Sequence, residues 1–505
     1  MDSPGAAFVP AGGPGPDRRV VRPVPGYRRR EPEKSLLHQT IREHLRTFLA
    51  ETEARNDGSG LPRFVVAEFE RYLRCGILAH GFARVRCPAC GDESLVAFSC
   101  KSRGICPSCT TRRMQGTATH LIDRVLPHVP MRQWVLSLPR WARFLLARDP
   151  QLITRTLDLA LRAIFARHRL RARRLGIHGA RAGAVTFVQR FGSALNLNVH
   201  FHAVIPDGVW IRNQGTVRFL ALPGPTDEDV RQVLRRIQRR VRAILKPRLA
   251  AARDDARAPD ALAASQAESV TTLRGKPPEA AKSKRLTACQ EGFSLHAGVH
   301  LHAHDRQGLA HLCGYGARPP LTQERLYSLP EGKLGYRMKR SLGDGREVLV
   351  LEPRELLRRL AALVPPPRSH LVRYHGVFAP ASKWRAEVIP ILPEPARLPT
   401  CPEVTPAAAP PPRDTRPATV RRPPDSRIPW SELLLRVFRE DVLACPCGGR
   451  RKVLAFINEK SVIEQILSHL GLPTTGPPTA PARLTAHFES LQWQDEVPEL
   501  QQSLR

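Results

Sequence analysis

The 505-residue chain lacks several things, and each absence closes off a class of function. No uninterrupted apolar run approaches the ~18 residues that a spanning helix needs, so no membrane segment is expected. The opening stretch, MDSPGAAFVPAGGPGPDRR, has neither the basic start nor the apolar core of a secretory signal. The expectation is therefore a cytoplasmic protein whose 11 cysteines stay reduced and serve as metal ligands or spare thiols rather than disulfides. No Gly-x-x-x-x-Gly-Lys-Ser/Thr loop is present, which argues against chemistry driven by ATP. No internal repeat is evident. Acidic residues are scarce: 46 Asp and Glu stand against 79 Lys and Arg, a net charge of +33. Such an excess calls for a polyanionic partner.

The length allows about three domains. Residues 1–33, rich in Pro, Gly and Arg, read as a disordered basic arm. Residues 34–125 open with an amphipathic helix (Leu37, Ile41, Leu45, Phe48 and Leu49 on one stripe) and carry the main cysteine cluster. A core over 126–390 contains a helix near 150–175 with Arg155, Arg162, Arg167, Arg171, Arg173 and Arg174 on its polar side. Alternating segments follow at 183–191, 195–208 and 292–305. Residues 250–285 show no clear apolar period and read as a flexible insert, 391–428 as a Pro-rich linker, and 429–505 as a small C-terminal unit.

Cys87-Pro-Ala-Cys90 and Cys106-Pro-Ser-Cys109 are two Cys-x-x-Cys pairs. Each turn can place two thiolates on one ion, and together they predict one tetrahedral structural Zn²⁺ site with no open position. Cys75 and Cys100 are left as small buried apolar residues. Cys445-Pro-Cys447 has a single spacer and no nearby partner pair, so a second zinc site there is the weaker expectation.

His200-Phe201-His202 sits in an alternating segment, where both imidazoles share one face of a strand. Alone this is a weak signal, because two ordinary strand histidines would look the same. It gains weight from Gln189 on the preceding strand, which hairpin pairing could place beside His200, and from Asn196 and Asn198 on the same face. A second such pair, His300-Leu301-His302 with His296 and His304, cannot be told apart by composition.

The stretches FVQRFGSALNLNVHFHAVIPDG, CPACGDESLVAFSCKSRGICPSC and RYHGVFAP resemble rolling-circle transposases of the insertion-sequence ninety-one and common-region type, within the HUH-endonuclease superfamily. The resemblance extends over most of residues 60–390 and the C-terminal unit. It implies an α+β chain: a helical zinc-binding module, then a nuclease core with a central antiparallel sheet flanked by helices. It further implies a divalent ion, Mg²⁺ or Mn²⁺, on His200 and His202 with Gln189 as third ligand, and a tyrosine nucleophile on a nearby helix. Founding members carry two tyrosines four apart; here the matching stretch HLCGYGARPP has His311 in the first place and Tyr315 in the second. Tyr315 is therefore the expected single nucleophile and Tyr374 its rival. The implied reaction nicks and rejoins single-stranded or hairpin DNA ends through a 5′-phosphotyrosine in a bacterial, nucleoid-associated setting. A plasmid relaxase or replication initiator would use the same residues. A zinc-dependent DNA-binding regulator would need only the cysteines and the charge. Trp134, Trp141 and Trp210 are candidates for base stacking, with core packing as the plainer role.

Overall fold

In the computed structural model, residues 29–254, 260–271, 285–339, 341, 345–390, 431 and 441–483 are described. Most of the basic arm, the linker 391–428 and residues 272–284 of the expected insert lie outside them.

The front module begins with α1 (Leu36–Arg55), started by Ser35, whose side chain accepts from the His38 amide. Its stripe of Leu37, Ile41, Leu45 and Phe48 is buried against Val65, Phe69 and Tyr72 of α2 (Arg63–Arg74). The strands β1 (Phe82–Arg86) and β2 (Glu93–Ala97) pair antiparallel around the Cys87–Cys90 turn. Helix α3 (Pro107–Arg124) is capped by Cys106, whose sulfur accepts from the Cys109 amide, with Pro107 in the first turn where a missing N–H costs nothing.

The chain then builds β3 (Met131–Ser137), α4 (Arg140–Arg148) and α5 (Pro150–Arg174), followed by the hairpin of β4 (Gly183–Phe191) and β5 (Leu197–Pro206). A small hairpin, β6 (Gly208–Asn213) and β7 (Thr216–Ala221), leads to α6 (Asp227–Asp254) and α7 (Ala261–Thr271). Next come β8 (Thr287–Gln290), β9 (Phe293–Leu301) and α8 (Arg306–Gly316). A small sheet of β10 (Leu326–Ser328), β11 (Leu334–Arg337) and β12 (Val348–Leu351) precedes α9 (Pro353–Leu363), β13 (Val372–Gly376) and α10 (Arg385–Val388). The last elements are β14 (Lys452–Ile457) and a helix, Lys460–His469.

The central sheet has six strands in the order β13-β4-β5-β3-β9-β8, every pair antiparallel. The chain is thus α+β, as the resemblance implies. Period-two alternation sorts its residues onto two faces. Val199, Phe201, Ala203, Trp134, Leu136, Phe293 and Leu295 enter the main core beneath α4, α5 and α6. Val185, Phe187, Val204 and Met131 face the other way, against α3 and α8. Beside the first core, Arg132 donates to both carboxylate oxygens of buried Asp207 and to the Ala297 carbonyl at 2.8 Å, tying β3, β9 and the start of β6 together.

The structure departs from the expected boundaries in three places. Residues 250–254 extend α6, and 261–271 form α7, with Ala261, Ala263, Ser265 and Ser269 buried and the Ser269 hydroxyl accepting from the Leu197 amide at 2.8 Å. Its small side chains let it pack closely, which is why no large-residue period marks it. Most buried apolar residues of 321–364 share their core with α1 and α2, and Leu363 joins the main core of the central sheet. The C-terminal unit is not separate: β14 pairs antiparallel with β1, and Ile463 and Leu467 close over Phe82.

Candidate active site and thiol clusters

Gln189 and His200 are direct cross-strand partners, and His202 lies two residues on, so all three share the face opposite the main core. The rings of His200 and His202 are 5.0 Å apart. Burial holds the His200 imidazole down to about 4 and that of His202 to about 3, keeping both neutral, the form that can offer a lone pair. His200 Nδ1 is 2.8 Å from the Asn198 carbonyl. A carbonyl only accepts, so Nδ1 carries the proton and Nε2 keeps its lone pair. Gln133 Nε2 lies 3.0 Å from His202 Nδ1, so as placed the amide donates and Nδ1 accepts. Turned over, the same amide would offer its oxygen to that nitrogen and set in His202 the tautomer of His200.

Helix α8 brings Tyr315 to this face. Gly316 allows it: a Cβ there would lie 2.6 Å from the Phe187 ring, so only glycine lets the helix rest on β4. Gln189 donates its amide N–H to the carbonyls of Tyr315, at 2.6 Å, and Gly316, at 3.0 Å. The Tyr315 ring stands edge-on to His202 with centroids 5.7 Å apart. The Arg318 guanidinium lies 4.5 Å and the Lys339 ammonium 4.9 Å from the centre of the same ring. Gln189 Oε1, Asn198 Oδ1 and His202 Nε2 are buried without a hydrogen-bond partner among the described residues. Buried acceptors left this way are costly unless something else satisfies them, and a divalent ion fits such a set of nitrogen and oxygen donors. The site opens into a cavity of about 710 Å³ lined by Ser108 and Thr111 of α3 together with Asn198, His200, Tyr315, Arg318 and Lys339.

The rivals stand elsewhere. His300 pairs with Arg132, whose side chain points away from the Gln133 and His202 face, and its Nε2 is 3.4 Å from Asp207. Tyr374 lies opposite Val185, four residues along β4 from Gln189, and burial raises its phenol. His311 is exposed one turn before Tyr315. Trp134 and Trp210 are buried and offer no free stacking surface, while Trp141 is half-buried against the main core. Arg155, Arg162, Arg169, Arg173 and Arg174 of α5 are exposed on the back of the molecule.

The expected zinc quartet does not assemble. Cys106 and Cys109 converge with Cys75 and Cys100, whereas Cys87 and Cys90 converge with Cys445 and Cys447. In the first cluster, sulfur–sulfur distances of 3.5 to 3.6 Å link Cys75, Cys100, Cys106 and Cys109. Four sulfurs ~2.3 Å from a zinc ion would be about 3.8 Å apart, so the arrangement suits a closed tetrahedral shell. Cys109 is drawn strongly toward thiolate by hydrogen bonds from its three neighbours and by the charge of Arg112. Cys75 and Cys100 are therefore cluster members rather than apolar filler. The reason is spatial: β1, β2 and their turn carry Cys87 and Cys90 out from the base where Cys75 and Cys100 flank the hairpin.

Two family models match the chain. One, described as "Transposase zinc-binding domain", covers residues 40–138. The other, described as "Putative transposase", covers residues 183–385. The chain belongs to the insertion-sequence ninety-one type of transposase. No curated protein and no solved structure matches it. As a transposase it acts on DNA, and no helix among the described residues is long and apolar enough to cross a membrane. The zinc-binding match takes in the first thiol cluster and ends far short of Cys445, while the transposase match takes in Gln189, His200, His202, Tyr315 and Lys339.

Sequence reasoning missed Gln133, Arg318 and Lys339 around this site. Arg318 has a local cue, since it stands in the basic, proline-containing segment after Tyr315. Lys339 reaches the tyrosine only through the small β10–β12 sheet, which nothing near Tyr315 in the sequence announces.

Proposed function

We propose that the transposase nicks and rejoins single DNA strands at element ends, with Tyr315 as its nucleophile and a divalent ion on His200, His202 and Gln189. The observation that carries this reading is the placement of Tyr315 against His202, with Gln189 bonded to the tyrosine's own carbonyl and its Oε1 left without a partner. A Mg²⁺ or Mn²⁺ ion held by the Nε2 atoms of the two histidines and Oε1 of Gln189 would neutralise charge on the scissile phosphate. The Tyr315 oxygen attacks phosphorus, the bond to the 3′ oxygen breaks, and the phenol's proton leaves with the new 3′-hydroxyl. A 5′-phosphotyrosine remains. It conserves the phosphodiester's energy, so rejoining to another strand needs no nucleotide. Arg318 and Lys339 would stabilise the negative charge of the scissile phosphate. A structural zinc ion on Cys75, Cys100, Cys106 and Cys109 fixes the start of α3, which lines the same cavity.

The test incubates wild type, Tyr315→Phe and Tyr374→Phe with a labelled single-stranded element end and Mn²⁺, followed by denaturing gel and peptide mapping. The adduct should form in wild type and Tyr374→Phe and vanish in Tyr315→Phe while DNA binding persists. An adduct mapping to Tyr374 moves the nucleophile. No adduct in any protein favours a DNA-binding regulator instead.

A further inference from the structure

We infer that Cys87, Cys90, Cys445 and Cys447 form a second structural zinc site, built jointly by the front hairpin and the C-terminal unit. Cys87 and Cys447 sulfurs are 3.6 Å apart, and Cys90 and Cys445 sulfurs 3.5 Å, although 360 and 355 residues separate them in the chain. All four lie within 4.8 Å of one another. These spacings again suit sulfurs sharing one ion, and four thiolates leave it no open position, so the site is structural.

The backbone is shaped for it on both sides. In the first turn the Gly91 amide donates to the Cys87 carbonyl at 2.9 Å, and Gly91 takes a φ of 78°. In the second the Gly448 amide donates to the Cys445 carbonyl at 3.0 Å, with φ of 85° at Gly448. Both φ values fall where a side chain is strained. Gly449 answers a different need: a Cβ there would sit 3.0 Å from the Cys87 sulfur and 3.3 Å from that of Cys447, inside the cluster itself.

The surroundings hold the two halves together. Arg451, almost fully buried, donates to Asp92 of the front turn and to the Ala444 carbonyl. Leu443 packs on Val85 and Val96. Residues beyond the last helix run along α1, where the Arg483 amide donates to the Thr47 hydroxyl at 3.0 Å. A redox pair would not require this closed shell of four.

The experiment uses the full chain purified under reductant. Metal analysis should give two zinc ions per chain, falling to one in Cys445→Ser/Cys447→Ser. Alkylation read by mass spectrometry needs no variant: Cys289, which is exposed, should label at once, whereas Cys87, Cys90, Cys445 and Cys447 should label only after a chelator is added. Cys75, Cys100, Cys106 and Cys109 are scored separately, so failure of the first cluster is distinguishable from failure of the second. One zinc in wild type, labelling of Cys445 and Cys447 as fast as Cys289, or release by reductant rather than chelator would each overturn the assignment.

Discussion

Substituting Gly316 by alanine tests whether α8 is held at the distance the chemistry needs. The added Cβ would lie 2.6, 2.7 and 3.0 Å from three atoms of the Phe187 ring. Carbon atoms rest at about 3.5–4.0 Å, so helix and ring must separate by about 1 Å. Phe187 is buried on β4 as the cross-strand partner of His202, so the helix is the part that gives, and Tyr315 moves with it. A misplacement of about 1 Å at a reacting group can cost about a hundredfold, or ~2.7 kcal/mol of barrier. Overpacking would also destabilise the fold by about 1–3 kcal/mol. Covalent adduct formation under single-turnover conditions should therefore slow by about two orders of magnitude while single-strand binding, which rests on spread charge, changes little. Phe187→Leu in the same chain should restore part of the rate by making room. A folded Gly316→Ala protein that forms adduct at the wild-type rate would refute the reasoning, because the tyrosine would then not depend on where α8 lies.

Two further outcomes follow from buried charge. Asp207→Ala leaves Arg132 buried opposite no carboxylate, and urea unfolding should show a loss of about 3–5 kcal/mol; a loss below 1 kcal/mol would mean the Arg132 pair is not buried as described. His168 is fully buried and its imidazole is held down to about 4, from 6.5 in the open chain, by loss of water and by nearby Arg171. The unfolded chain therefore binds a proton first, so this contribution to stability is full above about 6.5 and is lost as pH falls toward about 4. Thermal unfolding should show that decline, shared with His200 and His202, and His168→Leu should lessen its slope; an unchanged slope would assign the decline to the other groups.

What could be read from the sequence was local. The alternation of VTFVQRF and LNLNVHFHAV is enough for a hairpin, and the hairpin alone puts Gln189 beside His200. Tyr315 was reached through a motif, but what secures it, the Phe187 ring beneath Gly316 and Lys339 across the ring, comes from segments distant in the chain. The thiolates failed for the same reason. Cys-x-x-Cys spacing says which two sulfurs share a turn, and says nothing of which turns meet. Cys106 and Cys109 found Cys75 and Cys100, which have no motif of their own, and Cys87 and Cys90 found a one-spacer pair 355 or more residues later. Helix α7 escaped notice because alanine and serine at its buried positions leave no hydrophobic period.

The pairing of β1 with β14 also sets a clock on synthesis. A ribosome adding about 5–20 residues per second needs roughly 20–70 s to cover the 360 residues between Cys87 and Cys447. Throughout that interval β1 exposes one unpaired edge, and Phe82 waits for the side chains of Ile463 and Leu467. The first hairpin to leave the ribosome is thus among the last to be finished. A chain broken off after the proposed catalytic segments would carry Tyr315 and both histidines yet emerge with a sticky strand at its front, and such fragments should aggregate or be degraded before they meet DNA.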